Sequence, residues 1–410
     1  MLEGAIAPET SVMAVESHVA AATNPKPTTG TSRRLATLVL ALGACVIGIS
    51  ELAAIGVLGL VGDDLGTSVG AAGSIVTAYA LGVCVGGPLL AVVTTRRDRR
   101  FTLVLALALF AACNGVIAIA PTLVAVMVVR LVAGSVHGLF IGLATSHAAD
   151  MAGERRGGAI ALVFGGIAVA TVLGAPVGRV VGEAFGWRSA FWAVAAAAVV
   201  ALLAVLRWVP SVGSEAGPAG SSLRRALSMS VLAFLVLIVL VMGGVFSMYT
   251  YVTTLLEDRT GVTGPAISAI LLAFGLACAV GTFVGGRLAD RSVAATMLAA
   301  SAAVTLALVC LTLFGSAVAA TVVSLVVCGF AAFAFIPAFQ LRLMRLAEPA
   351  TDLAATLGAS AANAGIAIGA AVGAAAMARG VDALLIVACC LSAAGFAGTA
   401  AAGRIRSRAC

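Results

Sequence analysis

The sequence predicts an all-α polytopic membrane protein: twelve transmembrane helices in two pseudo-symmetric six-helix bundles, with both termini cytoplasmic. Three observations predict it. Hydrophobic residues make up 62% of the chain and charged residues 10%, against roughly 45–50% and 25% in soluble domains. Twelve apolar segments of at least twenty residues follow one another, each able to cross a ~30 Å hydrocarbon core at about 1.5 Å per residue. The basic residues between those segments fall mostly on one side of the membrane, the pattern that sets topology.

Residues 1–34 carry Pro8, Pro25, Pro27 and many Thr and Ser residues and are expected to form a disordered cytoplasmic tail. No charged region leads into a short apolar core with a small-residue cleavage site, so no signal peptide is expected. Segments 35–61, 69–95, 101–120, 122–149, 157–181 and 188–209 make the N-terminal bundle, 35–209. Residues 210–229, PSVGSEAGPAGSSLRRALSM, are a Gly/Ser/Pro-rich cytoplasmic linker. Segments 230–256, 265–288, 292–314, 316–341, 351–378 and 381–402 make the C-terminal bundle, 230–403, and 404–410 form a basic cytoplasmic tail. With the N-terminus inside, nineteen basic residues lie on the cytoplasmic side and four (Arg179, Arg188, Arg259, Arg379) outside.

The net charge of +7 is therefore a topology signal, and no nucleic-acid partner is expected. Lys26 is the only lysine, which excludes a P-loop lysine, and a Schiff-base lysine outside the tail. No GxSxG elbow or HExxH occurs, so an intramembrane enzyme finds no support. The nine cysteines lack CxxC spacing and read as small packing residues. His18, His137 and His147 have no metal-ligand spacing, so no metal is expected.

The halves repeat. Aligning Ala91 of LLAVVTTRRDRR with Gly286 of VGGRLADRS sets an offset of 195, which also pairs Gly66 with Gly261, Gly86 with Gly281, and Tyr79 with Phe274. Two such halves around a central cavity are a transporter plan.

Glu51 is the one acid deep inside an apolar segment. Such a group is costly in hydrocarbon unless paired, wetted or protonated, and is a functional candidate by default. Lost hydration favours the neutral carboxyl, whereas a neighbouring cation favours the charged one. Arg130 is the candidate cation, because both residues lie roughly 12–14 Å below the outer surface. The alternatives are a structural Glu held by a hydroxyl or water, and a permanent ion pair that fixes packing. His137, two turns from Arg130, is either a proton relay or a packing residue; His147 reads as interfacial. Tyr79, Asn114, Tyr249, Tyr251, Phe335, Gln340 and Asn363 are candidates to line a mostly apolar substrate cavity. Tyr249 and Tyr251 read equally as interfacial anchors, and Phe335 as core. Asp63, Asp64, Glu257 and Asp258 read as solvated flanks. Gly174, Pro176 and Gly178 would let their helix bend and approach a neighbour closely, or simply serve ordinary packing.

Four passages resemble the major facilitator superfamily, in its twelve-helix drug–proton antiporter branch: IGISELAAIGVLGLVGDDLGTS, AGSIVTAYALGVCVGGPLLAVVTTRRDRR, RLVAGSVHGLF and GGIAVATVLGAPVGRVVGEAFGWRSAFW. The likeness is to chloramphenicol-resistance and sugar- or nucleoside-efflux permeases. It implies that the helices of Glu51 and Arg130 adjoin, with Glu51 and Arg130 coupling protons to transport. It makes Gly174, Pro176 and Gly178 an antiporter hinge, and Arg96, Asp290 and Arg291 gating residues. The family's GxxxD in the first cytoplasmic loop is altered: Ala91 and Thr95 occupy its Gly and Asp positions, whereas the second half keeps Asp290. The implied function is proton-coupled export of small, moderately hydrophobic compounds, such as chloramphenicol, with a sugar, nucleoside or amino-acid-like metabolite as the alternative cargo. A small-molecule substrate, protons and lipid are the expected partners. No cofactor is expected beyond the proton gradient as energy source, and a monomer in the bacterial cytoplasmic membrane is expected.

Overall fold

The computed structural model describes residues 30–67, 69–95, 97–211, 224–263 and 265–407. Among them, twelve helices are long and apolar enough to cross a membrane. The first six are α1 (Gly30–Gly56), α2 (Ser74–Thr94), α3 (Arg99–Ile119), α4 (Leu123–Met151), α5 (Arg156–Phe185) and α6 (Trp187–Trp208). The second six are α7 (Met229–Tyr249), α8 (Pro265–Arg291), α9 (Val293–Phe314), α10 (Val318–Ala347), α11 (Thr351–Met377) and α12 (Val381–Ser407). Short polar residues open several of them. Asp98 accepts from the Phe101 amide at 2.8 Å, and Thr122 and Ser292 accept from Ala125 and Ala295 at 3.3 Å, satisfying amides that lack an intrahelical partner.

The helix ends overrun the sequence-based boundaries. α1 starts within the expected tail 1–34, and α12 runs into 404–410. An α-helix satisfies its own backbone in lipid or headgroups alike, and arginine stems reach along it while their charges stay wet. Residues 1–29, most of the linker (212–223) and 408–410 lie outside the described residues. The segment expected as 35–61 is not one helix: α1 stops at Gly56 and a seven-residue helix, Leu58–Asp64, follows Val57. A side chain at Gly56 would strike the Ala175 carbonyl oxygen on α5, so the break sits where two backbones meet.

Packing repeats with the sequence. α1 lies along α5 as α7 lies along α11; α2 packs on α4 as α8 packs on α10; α3 joins α6 as α9 joins α12. The 195-residue offset survives at single contacts. A side chain at Gly134 would strike the Tyr79 carbonyl oxygen, and one at Gly329 would lie 2.9 Å from the Phe274 ring. Gly86 abuts Ser135, and Gly281 abuts Phe330. Gly66 and Gly261 both take left-handed backbone, φ 63° and 66°, which glycine adopts without a side-chain penalty.

These glycines differ in what blocks them, and that yields a prediction. Gly134→Ala collides with backbone that cannot move aside, so it should cost about 2 kcal/mol. Gly329→Ala meets side-chain atoms of Phe274 and Cys278, at 2.9 and 3.0 Å, instead of backbone and should cost less. Thermal unfolding in detergent checks the order.

Twelve spans put the start of α1 and the end of α12 on one face. There α5 meets α8, and α11 meets both α2 and α4, joining the halves. At the opposite face Asp64 is exposed, as expected of a solvated flank, and it is also hydrogen-bonded. It accepts hydrogen bonds from Arg188 and, at 3.1 Å, from the Trp187 indole, tying the Leu58–Asp64 helix to the start of α6. The Arg188 bond, then the Trp187 bond, hold its carboxyl below the ordinary range. The stabilisation is therefore complete above the ordinary carboxylate range and is lost as pH falls through the lowered value.

Candidate functional site

Four helices of the N-terminal half bring six polar side chains together inside apolar surroundings. Arg130, Gly134 and His137 occupy one face of α4, because steps of four and three residues return to the same side of a helix. Gly134 lets α2 press against α4, which sets Tyr79 between the two basic residues. The Tyr79 hydroxyl lies 2.9 Å from His137 Nδ1, and the Arg130 guanidinium sits 4.0 Å over the tyrosine ring. Glu51 enters from α1, its Oε2 3.5 Å from the same His137 Nδ1. Ser50, its neighbour, turns away and donates to Asn114 Oδ1 on α3 at 2.7 Å, while Asn114 donates to the Phe110 carbonyl at 2.8 Å.

Arg130 is fully buried but is not ion-paired with Glu51. Its Nη1 donates to the Ser50 carbonyl at 3.1 Å and its Nε to the Ile75 carbonyl at 3.4 Å, while Nη2 has no hydrogen-bond partner among the described residues. Equal depth along two helices fixed height but not direction. The guanidinium turns to the α1 backbone and the aromatic face, and the imidazole takes the place next to the carboxylate. Glu51 keeps 28% of its side chain exposed against 8% for His137, so the acid is the member that a proton can reach. The sharing of one imidazole nitrogen between a phenol and a carboxylate allows a proton on Glu51 to rearrange the His137–Tyr79 hydrogen bond.

The expected hinge glycines back this cluster. A side chain at Gly174 would come within 2.6 Å of the Leu52 Cβ, and one at Gly178 within 2.6 Å of the Ala53 Cα. Pro176 lies between them inside α5. α5 thus packs tightly along the stretch of α1 that carries Glu51.

The other expected cavity residues are dispersed. Phe335 is fully buried in the C-terminal core, stacked with Phe339 at 5.9 Å. Gln340 is buried too, tying α10 to the Ala355 carbonyl of α11 at 2.7 Å. Both therefore have their partners inside the C-terminal bundle. Tyr249 is half-buried and stacks on Phe274 at 4.0 Å, and Tyr251 donates to the Ala370 carbonyl at 3.2 Å. Asn363 is half-buried, bonded to the Ala359 carbonyl of its own helix. It lies one turn beyond Ser360, whose hydroxyl donates to the Val83 carbonyl of α2 at 2.8 Å. Val83 belongs to a π-helical turn, Gly82–Gly86, an irregularity often found at functional positions. His147, expected at the interface, is fully buried.

Two latches join the halves at the face that holds the chain ends. Asp290 of α8 accepts from the Gly157 and Gly158 amides at 2.6 and 3.0 Å, capping the N-terminus of α5 with a carboxylate, as the helix dipole favours. Arg291 beside it is exposed, and Arg96 lies outside the described residues. On the other side Arg99 bridges Asp150 of α4 at 2.6 Å and Asp352 of α11 at 2.7 Å. Ser146 donates to Asp352 at 2.5 Å. Arg99, Ser146, Asp150 and Asp352 were missed as site residues, because acids at segment ends read as solvated flanks. The signal was present: the 195 offset pairs Asp290 with Thr95 and Gly157 with Asp352. In the second latch the acid missing at Thr95 stands on the facing helix instead, as Asp352, where Arg99 answers it.

Asp352→Asn removes the charge from that bridge while keeping its size. The ratio of states with this face closed to open should fall by about ten- to a hundredfold, as expected for one charge-assisted hydrogen bond of roughly 1.5–3 kcal/mol. Distances between spin labels across the two halves report the change.

A buried, partly accessible acid in one of two parallel six-helix repeats is the plan of a membrane transporter. The family profile described as the Major Facilitator Superfamily matches residues 40–374, and the chain belongs to that family; it is a transporter and not an enzyme. Transporters of this family bind small-molecule substrates. The chain is similar to the inner membrane transport protein YdhP of Escherichia coli (strain K12), 33% identical over 346 residues, 84% of this chain and 89% of that one. It is similar to a chloramphenicol resistance protein of Streptomyces lividans, 31% identical over 336 residues, 80% of this chain and 86% of that one. Among solved structures it shares its fold with the human organic anion transporter MFSD10, at a TM-score of 0.72 and 16% identity. That likeness covers 92% of this chain and all of the other.

Proposed function

We propose that the chain is a proton-coupled antiporter that exports small, moderately hydrophobic compounds, chloramphenicol among them, across the bacterial cytoplasmic membrane. The observation that carries the coupling is Glu51, a partly exposed carboxyl 3.5 Å from His137 Nδ1, a nitrogen it shares with the Tyr79 hydroxyl, whose ring lies under the Arg130 guanidinium. Protonation of Glu51 would remove the one negative charge facing His137. The cluster then changes from one that holds substrate to one that holds a proton, as exchange through one site requires.

The arginine-rich face is read as cytoplasmic, in keeping with the positive-inside bias. The latches then close the cytoplasmic side, and the conformation is outward-facing. The resistance protein from Streptomyces supports the cargo class, and YdhP supports the inner membrane. The protein is read as working as a monomer, since both halves of the exchange path lie in one chain, with no cofactor beyond the proton gradient. A resistance panel in an efflux-deficient host tests the reading. Expression should raise tolerance to chloramphenicol, and an uncoupler should abolish the gain. Unchanged tolerance across hydrophobic antibiotics, with export of a sugar or nucleoside instead, would contradict the cargo assignment.

A further inference from the structure

The backbone of α2 leaves one carbonyl, that of Val83, without a donor along its own helix. In the π-helical turn Gly82–Gly86 the Gly87 amide donates to the Gly82 carbonyl, so the four-residue step of an α-helix does not serve Val83. The five-residue step of the π turn falls on Pro88, which has no N–H to give. Val83 is buried, and a buried carbonyl left without a donor is costly.

The missing donor comes from the other half. Ser360 of α11, itself buried, donates to the Val83 carbonyl at 2.8 Å. Helical hydroxyls commonly bond back to their own turn, as Thr356 does to the Asp352 carbonyl earlier in α11. Ser360 instead crosses to α2. Cys84 returns the contact, its Sγ 3.8 Å from the Ser360 carbonyl. The pair lies well inside the span, about 12 Å along α11 from Asp352 of the latch. Gly138, next to His137, leaves room for it, since a side chain there would come within 2.9 Å of the Val83 oxygen.

We propose that Ser360 is a positioning residue for the alternation of the two halves: its hydroxyl clasps α11 to α2 through the carbonyl that the π turn and Pro88 leave free. When the halves part at this face, water reaches the carbonyl and replaces the hydroxyl, so the bond is exchanged and not simply lost. Removing the hydroxyl leaves the carbonyl unsatisfied only while the halves are together, and so penalises that arrangement alone. The inference rests on the alternating-access part of the transport reading and is independent of the cargo.

Distances between spin labels across α2 and α11 test it in the full-length protein without cargo, the labels carried on non-canonical residues so that Cys84 stays in place. In Ser360→Ala the ratio of closed to open arrangements should fall about tenfold, the effect of one buried carbonyl without a donor. Pro88→Ala supplies the discriminating background, because it restores an N–H at the π step. With that donor in place, Ser360→Ala should change the ratio by less than about twofold, the non-additivity expected of groups that serve one bond. An equal fall in both backgrounds would make Ser360 a packing residue and overturn the proposal, as would a ratio that Ser360→Ala leaves unchanged. Distances that obey this cycle in a protein that does not export chloramphenicol would contradict the cargo reading alone and support the clasp.

Discussion

Glu51→Gln abolishes pH-gradient-driven transport, down to the background of empty vesicles, while the protein stays folded and inserted. Gln keeps the size and hydrogen-bonding ends of Glu but cannot take up or release a proton. His137 Nδ1 retains an oxygen 3.5 Å away, so the packing of α1, α2 and α4 is preserved and stability should change by less than about 1 kcal/mol. Exchange of labelled for unlabelled substrate, which needs no net proton movement, should survive. That contrast separates a coupling residue from one needed for the fold, and full gradient-driven transport by the variant would remove Glu51 from the mechanism.

Arg130→Ala should damage both stability and transport. The side chain is fully buried and joins three elements, through the Ser50 and Ile75 carbonyls and the Tyr79 ring. Its loss leaves two helix carbonyls without their second donor, a void, and a carboxylate with no nearby guanidinium. The sum is a loss of about 3 kcal/mol or more. Arg130→Lys keeps the charge but not the planar fork that reaches carbonyl and ring together. It should recover part of the stability and little of the transport. Thermal unfolding and vesicle uptake measured on the same preparations distinguish the two effects. Native stability and flux in the alanine variant would reduce Arg130 to filling space.

Much of the architecture was legible because it rests on quantities a sequence displays directly. Apolar length gave the twelve spans, and the 195 offset pointed to contacts as local as Gly134 on Tyr79 and Gly329 on Phe274. Glu51 stood out because burying a carboxylate is costly enough to need a reason. What was not legible depended on direction around a helix axis. Depth placed Arg130 level with Glu51, yet His137 is the nearer cation-capable group, because Gly134 admits Tyr79 and turns the guanidinium to the α1 backbone. Phe335 and Gln340 sit on helices near a centre but face into their own bundle. Asp150 and Asp352 looked like solvated ends, since only the folded chain brings Arg99 between them.

The most direct test of the coupling claim uses purified protein in sealed vesicles with chloramphenicol equal on both sides and an imposed pH gradient. The account predicts that drug moves uphill, opposite to the proton flow, and that a protonophore stops it. Drug that stays at equal concentration under the gradient, and crosses only down its own gradient at a rate indifferent to pH, would contradict it.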